Sequence, residues 1–314
     1  MRLRVGAHVI EVTHPDKVLF PGPRPLTKLD LVVYYRRIAP IMLPYLAGRP
    51  VVMQRFPDGI QGAGFFHKDI PDYFPDWVDR VTLPKKGGMV THVVCNTAAT
   101  LVYLASQACI TPHVWLSRAD RPRHPDRLIF DLDPPADGFA PVRRAARLVG
   151  DLLSDLGLTT HVMTTGSRGA YVVVPLDRRA DFEVVRTFAR GVAALLVRRH
   201  PRELTMEPRV ADRGGRLYLD TGRNAYAQSA APPYAVRARA DAPVATPITW
   251  RELARPSLDA RSYRADNLFR RLARAGDPWR GFARRGQSLT RARAMLTKLA
   301  TKSRDRPIFP LRDD

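Results

Sequence analysis

Three aspartates carry the chemistry that the sequence suggests first. Asp131 and Asp133 stand two residues apart at the end of the aliphatic run Leu128-Ile129-Phe130, and Asp220 closes a second such run, Leu217-Tyr218-Leu219. Side chains at i and i+2 of a strand project from one face, so Asp131 and Asp133 can reach the same ligand. Three carboxylates at strand ends can hold two Mg²⁺ or Mn²⁺ ions about 3.5–4 Å apart, an arrangement that acidifies an attacking hydroxyl and neutralises a leaving pyrophosphate. A lone Asp-x-Asp is common as a turn, a cap or a solvated face. The aliphatic run before this one argues for a buried strand. A phosphatase with an aspartyl nucleophile also places Asp-x-Asp after a strand, but it needs a flexible Gly and Thr just downstream, where this chain has Pro134 and Pro135.

Other groups could serve a phosphorylated substrate. Thr165, Gly166, Ser167 and Arg168 form a short glycine-bearing loop between two strand-like segments. Glycines free the backbone to present N–H groups to an anion, and the hydroxyls and guanidinium add donors. Many hairpin loops look alike, so its position between the carboxylate strands is what singles it out. Phe65 and Phe66 form an aromatic pair beside Gly62, Gly64 and Lys68, suited to stacking on an unpaired base, though most Phe residues serve a core. His113 lies just ahead of Trp115, and local sequence favours a neutral structural role for it.

The elements that must position these groups read as follows. Val5–Val12 is strand-like, and a proline-rich turn region follows. Thr27 caps a helix over Lys28–Leu46 that is apolar at Leu31, Tyr34, Tyr35, Ile38, Met42 and Tyr45. A strand over 51–56 precedes the turn Pro57-Asp58-Gly59. A helix is expected over 97–109, a strand delivering Asp131, and an amphipathic helix from Pro141 to Leu156 stopped by Gly157. Strands His161–Thr164 and Ala170–Pro175 flank the loop. A helix over Phe182–His200 and a strand over Arg216–Leu219 then lead to Asp220. Residues 251–300 read as helical, interrupted near Pro256 and Gly276–Pro278. The irregular alternation points to an α+β fold.

Charge points to the partner. The 314 residues carry 51 Lys and Arg against 30 Asp and Glu, a net +21 that favours a polyanion. Only seven of the cations are Lys, so compositional bias explains the choice of Arg but not the shortage of acids. Residues 261–314 hold about half of the excess. No stretch approaches the roughly 20 apolar residues of a membrane span. The amino terminus lacks a secretory h-region, and two cysteines make neither a disulfide framework nor a zinc set. A cytoplasmic, nucleoid-associated protein is expected.

Together these motifs resemble the polymerase domain of bacterial end-joining DNA ligases, within the archaeo-eukaryotic primase superfamily. The resemblance runs from about Val9 to Lys302. It is carried by residues 14–21, 55–59, 65–68, His113 with Trp115, 127–134, 165–169, 220–224 and 231–239. It implies Asp131, Asp133 and Asp220 as ligands of two Mn²⁺ or Mg²⁺ ions. His113, Thr165, Gly166, Ser167, Arg168, Tyr171, Asn224, Arg237 and Arg55 would surround the incoming nucleotide. Phe65, Phe66 and Lys68 would meet base or template. Lys17 and Lys28, with His14 nearby, would grip the 5′-phosphate beyond a gap, a role that two cations in an exposed, Pro-rich segment also suit. Two departures stand out: Tyr171 replaces a usual His, and Gln54 a usual Lys. Both bear on triphosphate geometry and nucleotide preference.

The expected architecture is one catalytic unit over 1–300. An N-terminal α/β module (about 1–120) would pack on an RRM-like catalytic module of the primase type (about 121–250), with the active site in the cleft and a helical completion over about 251–300. A basic, irregular tail would follow over 301–314. The expected function is DNA-dependent nucleotidyl transfer by a free-standing primase-polymerase that fills short gaps or processes breaks. Its substrates would be NTP or dNTP, with ribonucleotides preferred, and its partners gapped or broken DNA and a DNA ligase or end-binding protein. A non-catalytic DNA-end or gap-binding module is the alternative, and a metal-dependent phosphatase or nuclease a weaker one.

Overall fold

The computed structural model describes residues 1–302. The amino-terminal part contains strands β1 (Arg2–Val5), β2 (His8–Glu11), β3 (Val18–Phe20) and β4 (Leu26–Thr27), then helix α1 (Lys28–Leu46). Strands β5 (Pro50–Arg55), β6 (Phe65–His67), β7 (Arg80–Lys85) and β8 (Gly88–Val94), helix α2 (Ala98–Ser106) and strand β9 (Cys109–Trp115) complete it. The single strand expected over 5–12 is a hairpin instead, because Gly6 takes a left-handed φ of +59° and turns the chain. Helix α1 starts where its cap predicted: the Thr27 side chain accepts from the Asp30 N–H, and Asp30 bonds back to the Thr27 N–H. The helix expected over 97–109 stops at Ser106, and β9 is buried along its whole length. With Thr111, Pro112 and His113 among its apolar residues and every position buried, β9 shows no alternation, which is why the sequence did not separate its start from the helix before it.

The second part contains β10 (Arg127–Asp133), α3 (Ala140–Asp155), β11 (His161–Thr164), β12 (Ala170–Pro175), α4 (Phe182–Arg199), β13 (Leu204–Thr205) and β14 (Leu217–Asp220). Its sheet runs β13-β14-β10-β12-β11-β16, antiparallel except for β13–β14, with β16 at Thr246–Ile248. The four central strands follow the order fourth, first, third, second of a βαββαβ unit, the RRM-like topology that was expected. Alternation then sorts the side chains. Leu128, Phe130 and Leu132 of β10, Ala170, Val172 and Val174 of β12, and Leu217 and Leu219 of β14 join one core with α3 and α4. The intervening residues, Asp131, Asp133, Tyr171, Tyr218 and Asp220, fall on the opposite face.

The module boundary drawn at 250 needs correction. β15 (Ser229–Ala230) pairs with β9 in the first sheet, and Tyr234, Val236 and Val244 are buried in the first module's core. Thr111 donates its hydroxyl to the Val236 carbonyl at 2.6 Å, and Tyr34 donates to the Tyr234 carbonyl at 2.8 Å. The chain thus crosses back over the cleft at 229–245 and sews the two sheets together. Beyond it lie α5 (Trp250–Leu253), α6 (Leu268–Ala275) and α7 (Thr290–Lys302), with longer irregular stretches between them than the sequence suggested. Residues 301 and 302 end α7 and do not begin a tail; 303–314 lie outside the described residues.

Candidate active site

Asp131 and Asp220 stand directly opposite each other in the β10–β14 ladder, and Tyr171 faces Asp131 from β12 on the other side. Asp133 is two residues on, opposite Tyr218. All of them line one cavity of about 300 Å³ with Thr165, Ser167, Arg168, Arg213, Arg223, Arg237 and Arg239. The three carboxylates therefore share a site, as the strand-end reading requires.

Arginines, however, hold these carboxylates. The Arg223 guanidinium lies 3.4 Å from Asp131 and 3.9 Å from Asp220, while Asp133 is gripped by Arg168 at 3.1 Å and Arg213 at 2.9 Å. Among the described residues, no three acidic, imidazole or thiol groups form a ready-made metal cage. Burial pushes the Asp131 carboxyl up to about 6; Arg223 opposes the shift, and Asp220 and Asp133 add to it. The three carboxylates form an all-oxygen donor set, the kind that Mg²⁺ or Mn²⁺ selects, although the guanidiniums in the same wall outnumber them. The Gly222 N–H at 2.7 Å and the Tyr218 hydroxyl at 3.3 Å both donate to Asp220 Oδ1, fixing that carboxylate.

The loop between β11 and β12 builds itself around Thr165. Its hydroxyl donates to the Gly169 carbonyl at 3.0 Å and accepts from the N–H groups of Ser167 and Gly169, so this side chain shapes the loop and does not reach outward. Gly166 adopts φ +65°, and a side chain there would strike Arg237 and Ala245. Arg237 Nη1 anchors the loop through the Thr165 carbonyl at 2.9 Å, and Arg261 Nε through the Ser167 carbonyl at 2.7 Å. Tyr171 is buried and lines the cavity; burial pushes its phenol up to about 12, with Asp131 adding.

The first sheet gathers further candidates, none of which lines the carboxylate cavity. His113 on β9 is buried, lies 3.3 Å from Gln54 through Nε2, and meets Phe66 edge-on at 5.4 Å. Burial, reinforced by Arg237 and Arg223, holds its imidazole well below the usual range, so it is neutral. Phe65 and Phe66 lie on β6, not in a loop, yet remain exposed as expected, and Lys68 is exposed beside them. Arg55 contacts the Gln107 carbonyl, the Tyr73 hydroxyl and the Phe65 ring, outside the carboxylate cavity.

Two expectations are corrected. Asn224 is fully buried, and its amide is spent on the backbone of Ile129 (2.9 and 2.7 Å) and of Thr221 (2.9 Å). It clamps β10 to the turn after β14 and has no group left for a nucleotide. Lys28 is buried, not exposed, with Nζ donating to the Thr13 carbonyl at 2.7 Å; burial and nearby Lys17 lower its pKa. Lys17 pairs with Asp58 at 2.7 Å, and His14 adopts a left-handed φ of +48° at the start of this segment. Sequence reasoning did not single out Arg213, Arg223 and Arg239. In a chain this rich in arginine, no local contrast marked them.

The family profile for the LigD primase-polymerase domain matches residues 27–279. The chain is 35% identical over 278 residues to the multifunctional non-homologous end joining DNA repair protein LigD of Mycobacterium tuberculosis, covering 85% of this chain and 36% of that protein. It is 30% identical over 296 residues to the bifunctional non-homologous end joining protein LigD of Bacillus subtilis, covering 94% of this chain and 47% of that protein. The chain thus spans a third to a half of the length of these curated relatives. The fold superposes on the polymerase domain of Mycobacterium tuberculosis Ligase D in complex with DNA with a TM-score of 0.82 and 32% identity, covering 88% of this chain and 99% of that one. The chain belongs to the LigD primase-polymerase domain family, a nucleotidyltransferase domain that its relatives carry within non-homologous end joining repair proteins.

Proposed function

We propose that this chain extends a DNA primer across short gaps or breaks by metal-dependent nucleotidyl transfer in the cleft between its two sheets. The observation that carries the reading is the register of Asp131 against Asp220, with Asp133 beside them, in a cavity otherwise walled by arginines and the glycine loop. Asp131, Asp133 and Asp220 would hold two divalent ions, Mn²⁺ or Mg²⁺, which when bound lower the pKa of the primer 3′-hydroxyl and neutralise the leaving pyrophosphate.

The chain's own residues do the rest. Arg168, Arg213, Arg223, Arg237 and Arg239 surround the cavity, ready to take triphosphate oxygens as charge-assisted partners. Gly166 brings its backbone N–H, and Ser167 its hydroxyl, toward the same anion. Neutral His113 offers a hydrogen bond from the first sheet without adding charge. The phenol of Tyr171, which stays protonated at neutral pH, can donate to a phosphate beside Asp131. Phe65 and Phe66 present exposed rings suited to a template base. Lys17 and Lys28, with His14, would receive the 5′-phosphate at the far side of the gap. No helix among the described residues is long and apolar enough to cross a membrane. Gap filling, a preference for ribonucleotides, and cooperation with a ligase or end-binding protein complete the proposal.

The test is primer extension on gapped, blunt and unprimed DNA with each nucleotide type and with Mn²⁺ or Mg²⁺. Wild type should extend gapped substrates, and Asp131→Ala should lose at least about 100-fold in rate, the scale of a lost transition-state charge contact, while still binding DNA. Equal extension by that variant would sink the reading, and binding with no extension by wild type would favour a non-catalytic end-binding module.

A further inference from the structure

Away from the carboxylate cavity, a second cleft of about 480 Å³ opens between α5 and α6. Arg255, Arg270, Arg271 and Arg274 line it together with Tyr263 and Glu252, the one acid in its wall. That acid is already committed. Arg271 Nε and Nη2 bond both Glu252 oxygens at 2.9 and 2.8 Å, with each side chain at least nine-tenths buried. The remaining nitrogen, Nη1 of Arg271, is buried with no hydrogen-bond partner. Arg255, Arg270 and Arg274 are exposed and, among the described residues, make no ion pair. Like charges one turn apart on α6 disfavour the isolated fold, and an anion with several oxygens relieves them.

The surroundings say which anion. Helix α6 rests on α1, where Phe269 packs 5.6 Å from Tyr34 and under the Arg37 guanidinium at 3.9 Å. Arg24, between Lys17 and Lys28 in sequence, lies 3.4 Å from Asp266, just ahead of α6. Arg24 therefore brings the Lys17–Lys28 segment against the start of α6, one residue before Asn267 of the cleft wall, while Arg37 stands on the α1 side of that helix. The nine helical steps from Lys28 to Arg37 span ~14 Å, about four base-pair steps of a duplex.

We propose that this cleft is a second DNA-phosphate site, which grips the backbone of the duplex several base pairs beyond the 5′-phosphate. The inference rests on the polymerase reading for the position of that phosphate. Polyvalent anions other than DNA share the charge, but the contact of the Lys17–Lys28 segment with the start of α6 through Arg24 and the net charge of +21 favour a nucleic acid over an acidic peptide.

The experiment compares wild type with the triple variant Arg255→Ala, Arg270→Ala, Arg274→Ala, all at exposed positions, on fluorescent gapped DNA whose hairpin-closed downstream arm is short (~4 base pairs) or long (~20). On the long arm the variant should bind about tenfold more weakly at fixed salt, and the slope of log K against log salt should fall by roughly 2–3. On the short arm the two proteins should agree within about twofold, and a triple Lys variant should retain most of the long-arm affinity. Equal affinities on the long arm overturn the proposal, as does an equal loss on both arms. A poly-glutamate peptide that binds the wild-type cleft while the triple variant keeps full DNA affinity would overturn it too. Primer extension on the short-arm substrate is read separately: its absence in wild type would fail the polymerase reading, whereas the arm-length comparison is made by binding alone.

Discussion

Lys17 and Lys28, eleven residues apart, differ in what a 5′-phosphate would ask of them. Lys17 is partly exposed and paired to Asp58, which is 78% exposed, and such a surface pair is worth at most about 1 kcal/mol, so a phosphate displaces it easily. Lys17→Ala is therefore expected to weaken binding to a 5′-phosphorylated gap by about 10-fold or more and to leave a 5′-hydroxyl gap nearly unchanged. Equal losses on both substrates in gel shifts at one salt concentration would reduce Lys17 to general electrostatics. Lys28 is buried under Thr13, so Lys28→Ala should also cost about 1–2 kcal/mol of stability, visible in urea melts. His161 supplies a pH test. It is buried edge-on between Trp279 and Phe282, its Nδ1 is unpartnered, and burial with Arg285 holds its imidazole at about 4 against an ordinary value near 6.5. Between those values the unfolded chain carries a proton that the native state lacks. Stability should thus fall by about 3 kcal/mol as pH drops from 6.5 to 4, with this contribution intact above that window. His161→Phe, which keeps the ring contacts, should flatten that part of the profile. Parallel urea-stability profiles for the two proteins would remove His161 as a cause.

At the scale of elements, the loop between β11 and β12 depends on a glycine whose need is steric. Gly169 has no unusual φ, but a Cβ built on it would lie 1.9 Å from the Leu132 carbonyl oxygen on β10. Gly169→Ala must push β12 off the strand that bears Asp131 and Asp133. A loss of about 2–3 kcal/mol, with extension falling by more than that destabilisation explains, is expected; a variant with full activity and an unchanged melt would show that the strands give way cheaply. Asn224 does the corresponding work behind β14. Asn224→Ala removes three buried hydrogen bonds and leaves the Ile129 N–H and carbonyl without their side-chain partners, so a cost of about 2–4 kcal/mol is expected in denaturant unfolding. A neutral result would return Asn224 to the list of nucleotide contacts. Each element around the site was legible to within a residue or two where capping or alternation marked it: α1, β11, β12, α4. The missed ones include β6, β7, β8 and β9, which carry mixed exposure or, in β9, burial on both faces with no alternation to read.

Across the whole molecule, one buried charge cluster ties the two sheets together. Arg49, fully buried after α1, ion-pairs with Asp126 just ahead of β10 and donates to the Trp115 and Ser117 carbonyls at the end of β9. Arg118 and Arg127 flank the same carboxylate at 3.0 and 3.3 Å. Despite burial, these guanidiniums hold the Asp126 carboxyl well below the usual range. Asp126→Asn would strand three guanidiniums around a neutral amide and should cost about 3–5 kcal/mol in urea unfolding. A loss under about 1 kcal/mol would mean that water or relaxation satisfies the cluster, and that the crossing at 229–245 alone holds the sheets in register.

The sequence by itself determined the carboxylate strands, because a period of two placed Leu128, Phe130, Leu217 and Leu219 on one face and left Asp131, Asp133 and Asp220 on the other. It also determined the cap of α1, a local hydrogen-bond pattern within a few residues, whereas the inward turn of the Thr165 hydroxyl, expected to face an anion, emerged only in the folded loop. Only the tertiary structure decided which charges meet. Arg223, Arg213 and Arg168 reach the carboxylates, Lys28 sinks beneath Thr13, and Asn224 turns inward, through contacts that separate up to 95 positions in the chain. Guanidinium and ammonium groups sit on long, flexible stems, so their partners are set by the packing of strands remote in sequence, and no local pattern encodes them.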